Sequence, residues 1–265
     1  MARIRLAQLV RMSFAAALVS AAAFPLAAQA APACDAPFSI IRFTNPLARV
    51  AQKLKAGKPV TVVAIGSSST AGSGASSPAA SYPSRLVVEL NERLPGHSVT
   101  VLNRGAPGEE VDDMLKRFDA DVIASEPDLI LWQFGTNSLI RAEQLDDHAA
   151  AIRSGISKLR STGADVVLID PQFAPKVIAR PEATHVVDLM AHTAKREDVN
   201  LFPRFNLMRR WHDIDHVAFS TSVSPDGLHM NDWSYGCFAK ALSVAIAEAA
   251  QRPVLSAKIA PHVVQ

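Results

Sequence analysis

Cysteine is almost missing from these 265 residues: Cys34 and Cys237 stand alone, and no thiolates fall at metal-type spacing. Lys and Arg form no tract that would follow a phosphate backbone, so no nucleic-acid partner is expected. Around Gly66 to Gly74 the sequence offers neither a Gly-x-Gly-x-x-Gly array nor a Lys-Ser/Thr pair, which argues against a phosphate cradle. Internal repeats are absent, and the one compositionally biased stretch is the Gly/Ser/Ala-rich segment from Ala71 to Ser81.

The first thirty residues read as an export signal. Arg3, Arg5 and Arg11 give a positive start, Phe14 to Leu26 an apolar stretch, and Ala28-Gln29-Ala30 a small-residue cleavage site. The alternative is an uncleaved anchor, but the stretch is short for a span of about 20 residues, so no stable membrane insertion is expected after cleavage. The leader contains three arginines and no acid, so its removal takes the formal net charge from +2 to −1. The chain beyond it, residues 31–265 with a core at about 58–251, is expected to form a single domain in the periplasm or outside the cell. In such a compartment Cys34 and Cys237 can pair or remain two buried thiols, and the sequence leaves both open. It does not set the oligomeric state.

From Pro59 onward short apolar runs alternate with longer amphipathic stretches, the pattern of βα units around a parallel sheet. Strands are expected at Val60–Ile65, taken as central, and at Ser98–Leu102, Asp128–Phe134, Asp165–Ile169 and Val199–Phe202. Helices are expected at Tyr82–Leu94, Glu109–Ser125, Ala142–Ser161, Pro181–Arg196 and Trp233–Ala250. Leu145, Ala149, Ile152, Ile156 and Leu159 place one stripe of the third helix toward the sheet. The last helix is apolar nearly all round, so it should be packed. Gln172–Arg180 and Trp211–Pro225 read as long connections, the usual carriers of substrate choice.

Four segments carry chemistry. Gly66-Ser67-Ser68 follows the first strand, Gly105-Ala106-Pro107-Gly108 the second and Gly135-Thr136-Asn137 the third, so all three fall at the carboxyl edge where open α/β sheets bind ligands. Ser68, exposed at a sharp strand-to-helix turn, is the candidate nucleophile. It needs a base oriented by a third group. His229 fits, with Asp226 three residues earlier and therefore on the same side of a tight turn. A tetrahedral oxyanion needs donors already in place: the N–H groups of Ser68 and Gly108 and the side-chain amide of Asn137. Taken singly, each segment also reads as ordinary turn or cap material, Asp226 as a cap for the next helix included.

Together the segments resemble the blocks of the SGNH hydrolases, also called the GDSL esterase/lipase family, over roughly Val60 to Met230. The resemblance implies a flavodoxin-like three-layer α/β/α sandwich on a five-stranded parallel sheet, hydrolysis of esters or thioesters, and no cofactor. Its catalytic positions fall on Ser68, Gly108, Asn137, Asp226 and His229. Two positions depart from it: Gly-Asp-Ser is here Gly66-Ser67-Ser68, and Gly-x-Asn-Asp is Gly135-Thr136-Asn137-Ser138.

The function expected is an exported serine esterase acting on a small-molecule or carbohydrate ester, removing short acyl groups such as O-acetyl. Alternatives are a lipid esterase, lysophospholipase or thioesterase, acyl transfer to another sugar, or a non-catalytic carbohydrate-binding or envelope-assembly protein on the same fold. The dense group His212, Asp213, Asp215 and His216 has metal-ligand residue types but no known spacing, and is read as a hydrogen-bonded loop. Asp112-Asp113 and Asp146-Asp147 are read as solvated helix faces, and His185 and His192 as surface residues.

Overall fold

The computed structural model describes residues 32–143 and 145–253. The expected leader and the tail beyond residue 253 lie outside them. Five strands, β1 (Val60–Gly66), β2 (Val99–Gly105), β3 (Leu129–Gln133), β4 (Asp165–Ile169) and β5 (Asn200–Phe202), form one sheet. Its order is β2-β1-β3-β4-β5 and every pairing is parallel. Strand β1 is interior, as its apolar run requires, but the middle place belongs to β3, whose residues are all buried. The order reverses at β1, so a cleft opens between the connections that leave β1 and β3.

Parallel neighbours need crossovers, and right-handed ones that run in opposite directions along the sheet, as β1 to β2 and β2 to β3 do, lie on opposite faces. The fold is accordingly a three-layer α/β/α sandwich. Helices α1 (Phe38–Ile41), α2 (Ala48–Lys55) and α4 (Tyr82–Arg93) precede or link the first strands, and α3 (Ser68–Ala71) is a single turn after β1. Then follow α5 (Val111–Arg117), α6 (Thr136–Arg141), α7 (Ala149–Arg160), α8 (Pro175–Ile178), α9 (Ala183–Arg196), α10 (Arg204–Asp213), α11 (Phe219–Ser222) and α12 (Asp232–Gln251). Helix α12 packs against α4 and α2 and buries residues on most of its circumference, as its composition requires. Among the described residues no helix is long and apolar enough to cross a membrane.

Two expected helices are interrupted. Glu109–Ser125 becomes α5, a π-turn over Phe118–Val122 and a 3₁₀ turn over Ile123–Ser125. The widened turn keeps Phe118 and Val122 both fully buried, with Phe118 edge-on to Trp132 at 5.1 Å. Ala142–Ser161 is broken at Ala142, whose φ of 59° ends α6; α7 starts only at Ala149. The stripe survives the break, since Leu145, Ile152, Ile156 and Leu159 are all buried, whereas Ala149 is only half-buried. Gly155 of α7 lies against Trp132, where a Cβ would meet the indole at 2.7 Å. Helices α2, α6 and α10 are additions to the sequence reading, and α10 occupies the start of the segment read as the Trp211–Pro225 connection.

The end of the sheet away from the cleft is tied by charge. Asp128, fully buried, accepts from Thr61 N–H at 3.0 Å and pairs with Arg49 and Lys53 of α2 at 2.9 and 3.1 Å. Cys34 and Cys237 are joined in a disulfide, which decides between the two states left open by the sequence. The bridge fastens the segment before α1 to α12 and closes a loop with a sequence separation of 203. Closing so long a loop restricts the unfolded chain, an effect typically worth about 2–4 kcal/mol. Replacing both cysteines by serine should therefore lower the urea midpoint by a matching amount; an unchanged midpoint would show that the bridge contributes nothing.

Candidate active site

Strand β1 delivers Gly66 to the cleft, and α3 begins two residues later. A Cβ on Gly66 would collide with the Thr70 hydroxyl and with Gln133, and one on Gly105 would run into the backbone of Thr70 and Ala71. Only glycine lets the turn sit this low over the sheet. Ser67 points inward, 2% exposed, and its N–H and hydroxyl both donate to Gln133 Oε1, at 3.2 and 3.3 Å. Thr70 Oγ1 donates to the same oxygen at 3.2 Å. Ser68, at the first position of α3, faces the cleft, and first-turn N–H groups have no partner within a helix.

The Asp226–His229 segment forms its own tight loop. Ser224 N–H donates to His229 O at 2.8 Å, Val223 and Met230 form an antiparallel bridge, and Gly227 takes a φ of 71°. Asp226 Oδ1 accepts from Ser224 Oγ, Leu228 N–H and His229 N–H at 2.7, 2.8 and 3.0 Å. Its Oδ2 lies 2.5 Å from His229 Nδ1, and His229 Nε2 lies 2.8 Å from Ser68 Oγ. Hydroxyl, imidazole and carboxylate thus form one hydrogen-bonded chain, the arrangement by which a serine can lose its proton to a histidine. Partial burial pushes the Asp226 carboxyl up, but the bonds from His229, Ser224 and two backbone N–H groups outweigh it and hold the carboxyl well below the usual carboxylate range. Asp226 is not the cap of the following helix; Asn231 caps α12 through Ser234 N–H at 3.2 Å.

Gly108 and Asn137 are brought together on the other side of the cleft. Gly108 has φ 82° with nothing but the Arg141 guanidinium near its missing Cβ, so conformation and not crowding selects glycine there. Asn137, the second residue of α6, donates from Nδ2 to Glu109 O at 2.9 Å. Arg141 Nη2 donates to Gly108 O at 2.7 Å.

Sequence reasoning missed Glu110, Arg141 and Ser224. Glu110, 7% exposed, accepts from Ser138 Oγ at 2.6 Å and pairs with Arg141 at 3.2 Å. Burial raises its carboxyl pKa, partly offset by the Ser138 bond. A carboxylate thus stands against Ser138, the position at which Gly-x-Asn-Asp would carry its own. The pairing of a buried Ser138 with a buried acid 28 residues earlier left no local signal in the sequence.

Several other titratable groups singled out in the sequence have partners of their own. His212 Nδ1 lies 3.2 Å from Val217 O and its ring stacks on Phe219 at 4.0 Å, while Asp215 pairs with Arg210 at 3.2 Å. Asp112 pairs with His148, Asp113 with Lys116, and Asp146 with His185, at 3.3, 3.0 and 2.7 Å.

The model of a family described as non-GDSL lipase-like matches residues 33–252. The chain belongs to that family. Membership makes it an enzyme of the ester-hydrolysing class, and the resemblance to SGNH hydrolases seen in the sequence is borne out at this level. The family's description accords with Ser67, which stands where Gly-Asp-Ser would place an acid. An arylesterase of Vibrio mimicus is 27% identical over 150 residues, covering 56% of this chain and 70% of that protein. Among solved structures, a two-domain esterase active on acetylated mannans aligns with TM-score 0.68 at 18% identity, over 83% of this chain but only 58% of its own. Axe2, an acetylxylan esterase from Geobacillus stearothermophilus, aligns with TM-score 0.60 at 19% identity, over 71% of this chain and 94% of its own. A lipase/acylhydrolase from Enterococcus faecalis gives 0.58 at 22% identity, over 71% and 96%. At such identities the structural likeness speaks for the fold alone.

Removing the Glu110 carboxylate strands a buried hydroxyl and loosens Arg141 from Gly108. Glu110→Ala should destabilise by about 1–3 kcal/mol, read from urea unfolding. Adding Ser138→Asp, which restores a carboxylate from the other side, should recover part of the loss. No recovery would mean that Glu110 acts through its packing and not its charge.

Proposed function

We propose that the chain is an exported serine esterase that removes short acyl groups, acetyl foremost, from carbohydrate. The observation that carries the reading is the hydrogen-bonded chain Ser68 Oγ, His229 Nε2, His229 Nδ1, Asp226 Oδ2. Ser68 Oγ attacks the acyl carbonyl as its proton passes to His229 Nε2. Asp226 stays ionised, fixes the tautomer and stabilises the imidazolium. The carbonyl oxygen becomes an oxyanion, received by the N–H groups of Ser68 and Gly108 and by Asn137. An amide nitrogen carries two donors, so the Asn137 bond to Glu109 O anchors the group and leaves its second hydrogen for the oxyanion.

When the tetrahedral intermediate collapses, the ester C–O bond breaks and His229 returns the proton to the leaving alcohol. Water then adds to the acyl-serine with His229 again as base, and the second collapse frees the acid and Ser68. Atoms and protons balance without a cofactor.

Two further observations support the finer parts of the reading. The apolar leader and the Cys34–Cys237 disulfide fit an oxidising, exported location. The relatives named for acetylated mannan and acetylxylan favour carbohydrate acetyl esters. A chain-length series of model esters tests this: rates should fall from acetate to long acyl chains, and a preference for long chains would overturn the substrate assignment.

The residue roles give a graded series. Ser68→Ala and His229→Ala should reduce acetate-ester hydrolysis to near background and abolish fluorophosphonate labelling. Asn137→Ala should retain partial activity, losing about 10²–10³-fold. Asp226→Asn should cost on the order of 10⁴-fold, as expected when a neutral amide misorients the base. Full activity in Ser68→Ala would end the assignment.

The position of the Asp226 carboxyl below the ordinary range has a consequence for pH dependence. It is ionised at every pH above about 4, so it adds no limb to the profile of kcat/KM between about pH 5 and pH 9. A limb in that window that disappears in Asp226→Asn while activity persists would contradict this.

A further inference from the structure

Strand β4 (Asp165–Ile169) ends beside the cleft, yet its connection supplies none of the site residues named above. Its contribution is Gln172, which is fully buried. Gln172 Oε1 accepts from Thr136 Oγ1 at 3.1 Å and from Arg204 Nη2 at 3.0 Å, with Ser69 Oγ at 3.4 Å. Its Nε2 donates to Leu228 O at 3.0 Å. Three of these four partners adjoin a residue of the site: Ser69 follows Ser68, Thr136 precedes Asn137, and Leu228 precedes His229.

We propose that Gln172 is a positioning residue that sets the mutual placement of Ser68, Asn137 and His229; this rests on the roles assigned to them above. The primary amide is planar and of fixed size, so its bonds define one geometry for segments that the chain otherwise holds on separate strand connections. Its orientation is fixed too. A guanidinium only donates, so Arg204 selects the oxygen end and leaves the nitrogen end for Leu228 O. Arg204 is itself held, with Nε donating to Asp170 O at 2.9 Å and Phe205 N–H donating to Asp170 Oδ1 at 2.9 Å. Ser69, Thr136 and Arg204 are buried as well, so water does not compete for these bonds and a lost one is not replaced.

Position governs rate more than binding, because a displacement of about 1 Å in a catalytic group can cost about 10²-fold. Gln172→Met keeps the volume and removes every bond. For the folded variant, kcat on an acetate ester should fall about 10–100-fold with KM within about three-fold, and fluorophosphonate labelling of Ser68 should slow by the same factor. Thr136→Val should lower kcat several-fold alone and have little added effect in Gln172→Met, because the two remove one shared interaction.

A folded Gln172→Met enzyme with kcat and labelling unchanged, even with a lower Tm, would overturn the proposal and leave Gln172 a structural residue. Should Gln172→Met fail to fold, Thr136→Val carries the test, and unchanged kcat there overturns it equally. Ser68→Ala measured alongside separates the two layers: activity in that variant ends the catalytic reading itself, whereas its inactivity beside an active Gln172→Met ends only the positioning role.

Discussion

The first turn of α3 rests on bare backbone, and the cleft is built outward from that contact. Gly66 and Gly105 stand opposite each other in the β1–β2 register, and a side chain on either would displace the turn. With no side chains between, the strand can end and the helix begin within two residues, which leaves Ser68 at the rim on the first turn of α3. The same closeness explains the hold of Gln133 on Ser67 and Thr70. A turn this tight cannot satisfy its own polar groups, and a neighbouring strand must do it.

Histidine reaches this turn by a separate route. The Val223–Met230 loop is braced internally by Asp226, which collects four donors, and α12 begins at once after it under an Asn231 cap. The loop therefore carries a preformed imidazole–carboxylate pair to the sheet edge and needs the fold only to aim it. The Gly108–Asn137 side works differently, because neither residue is braced alone. Arg141, Glu110 and Ser138 join α6 to the loop after β2. At that point Glu110 sets a buried carboxylate against both Ser138 and Arg141.

Much of the frame was legible in the sequence. β-branched runs punctuated by Gly and Pro located all five strands to within three residues at either end, and the long helices α4, α9 and α12 appeared nearly in full. The misreadings share a cause. Residues 109–125 and 142–161 carry good helical periodicity, but Phe118 with Val122 and the turn at Ala142 answer to burial against Trp132 and to the end of α6, neither of which is local. Helices α2 and α10 carry polar faces and drew no helix reading, and α6 is too short for periodicity to register. Cys34 and Cys237 illustrate the same limit: their pairing depends on where α12 lies.

Residue chemistry and short spacing belong to the sequence. The Asp226–His229 interval, the glycines at 66 and 108, and the place of three segments at strand ends are fixed by neighbours a few residues away, and local geometry suffices to read them. The tertiary structure alone decided that Ser68 and His229, 161 residues apart, stand at hydrogen-bond distance, that Glu110 answers Ser138, and that Gln172 reaches three separate segments at once. Those contacts exist because a parallel sheet with right-handed crossovers delivers all its carboxyl ends to one edge, where separation along the chain ceases to measure distance.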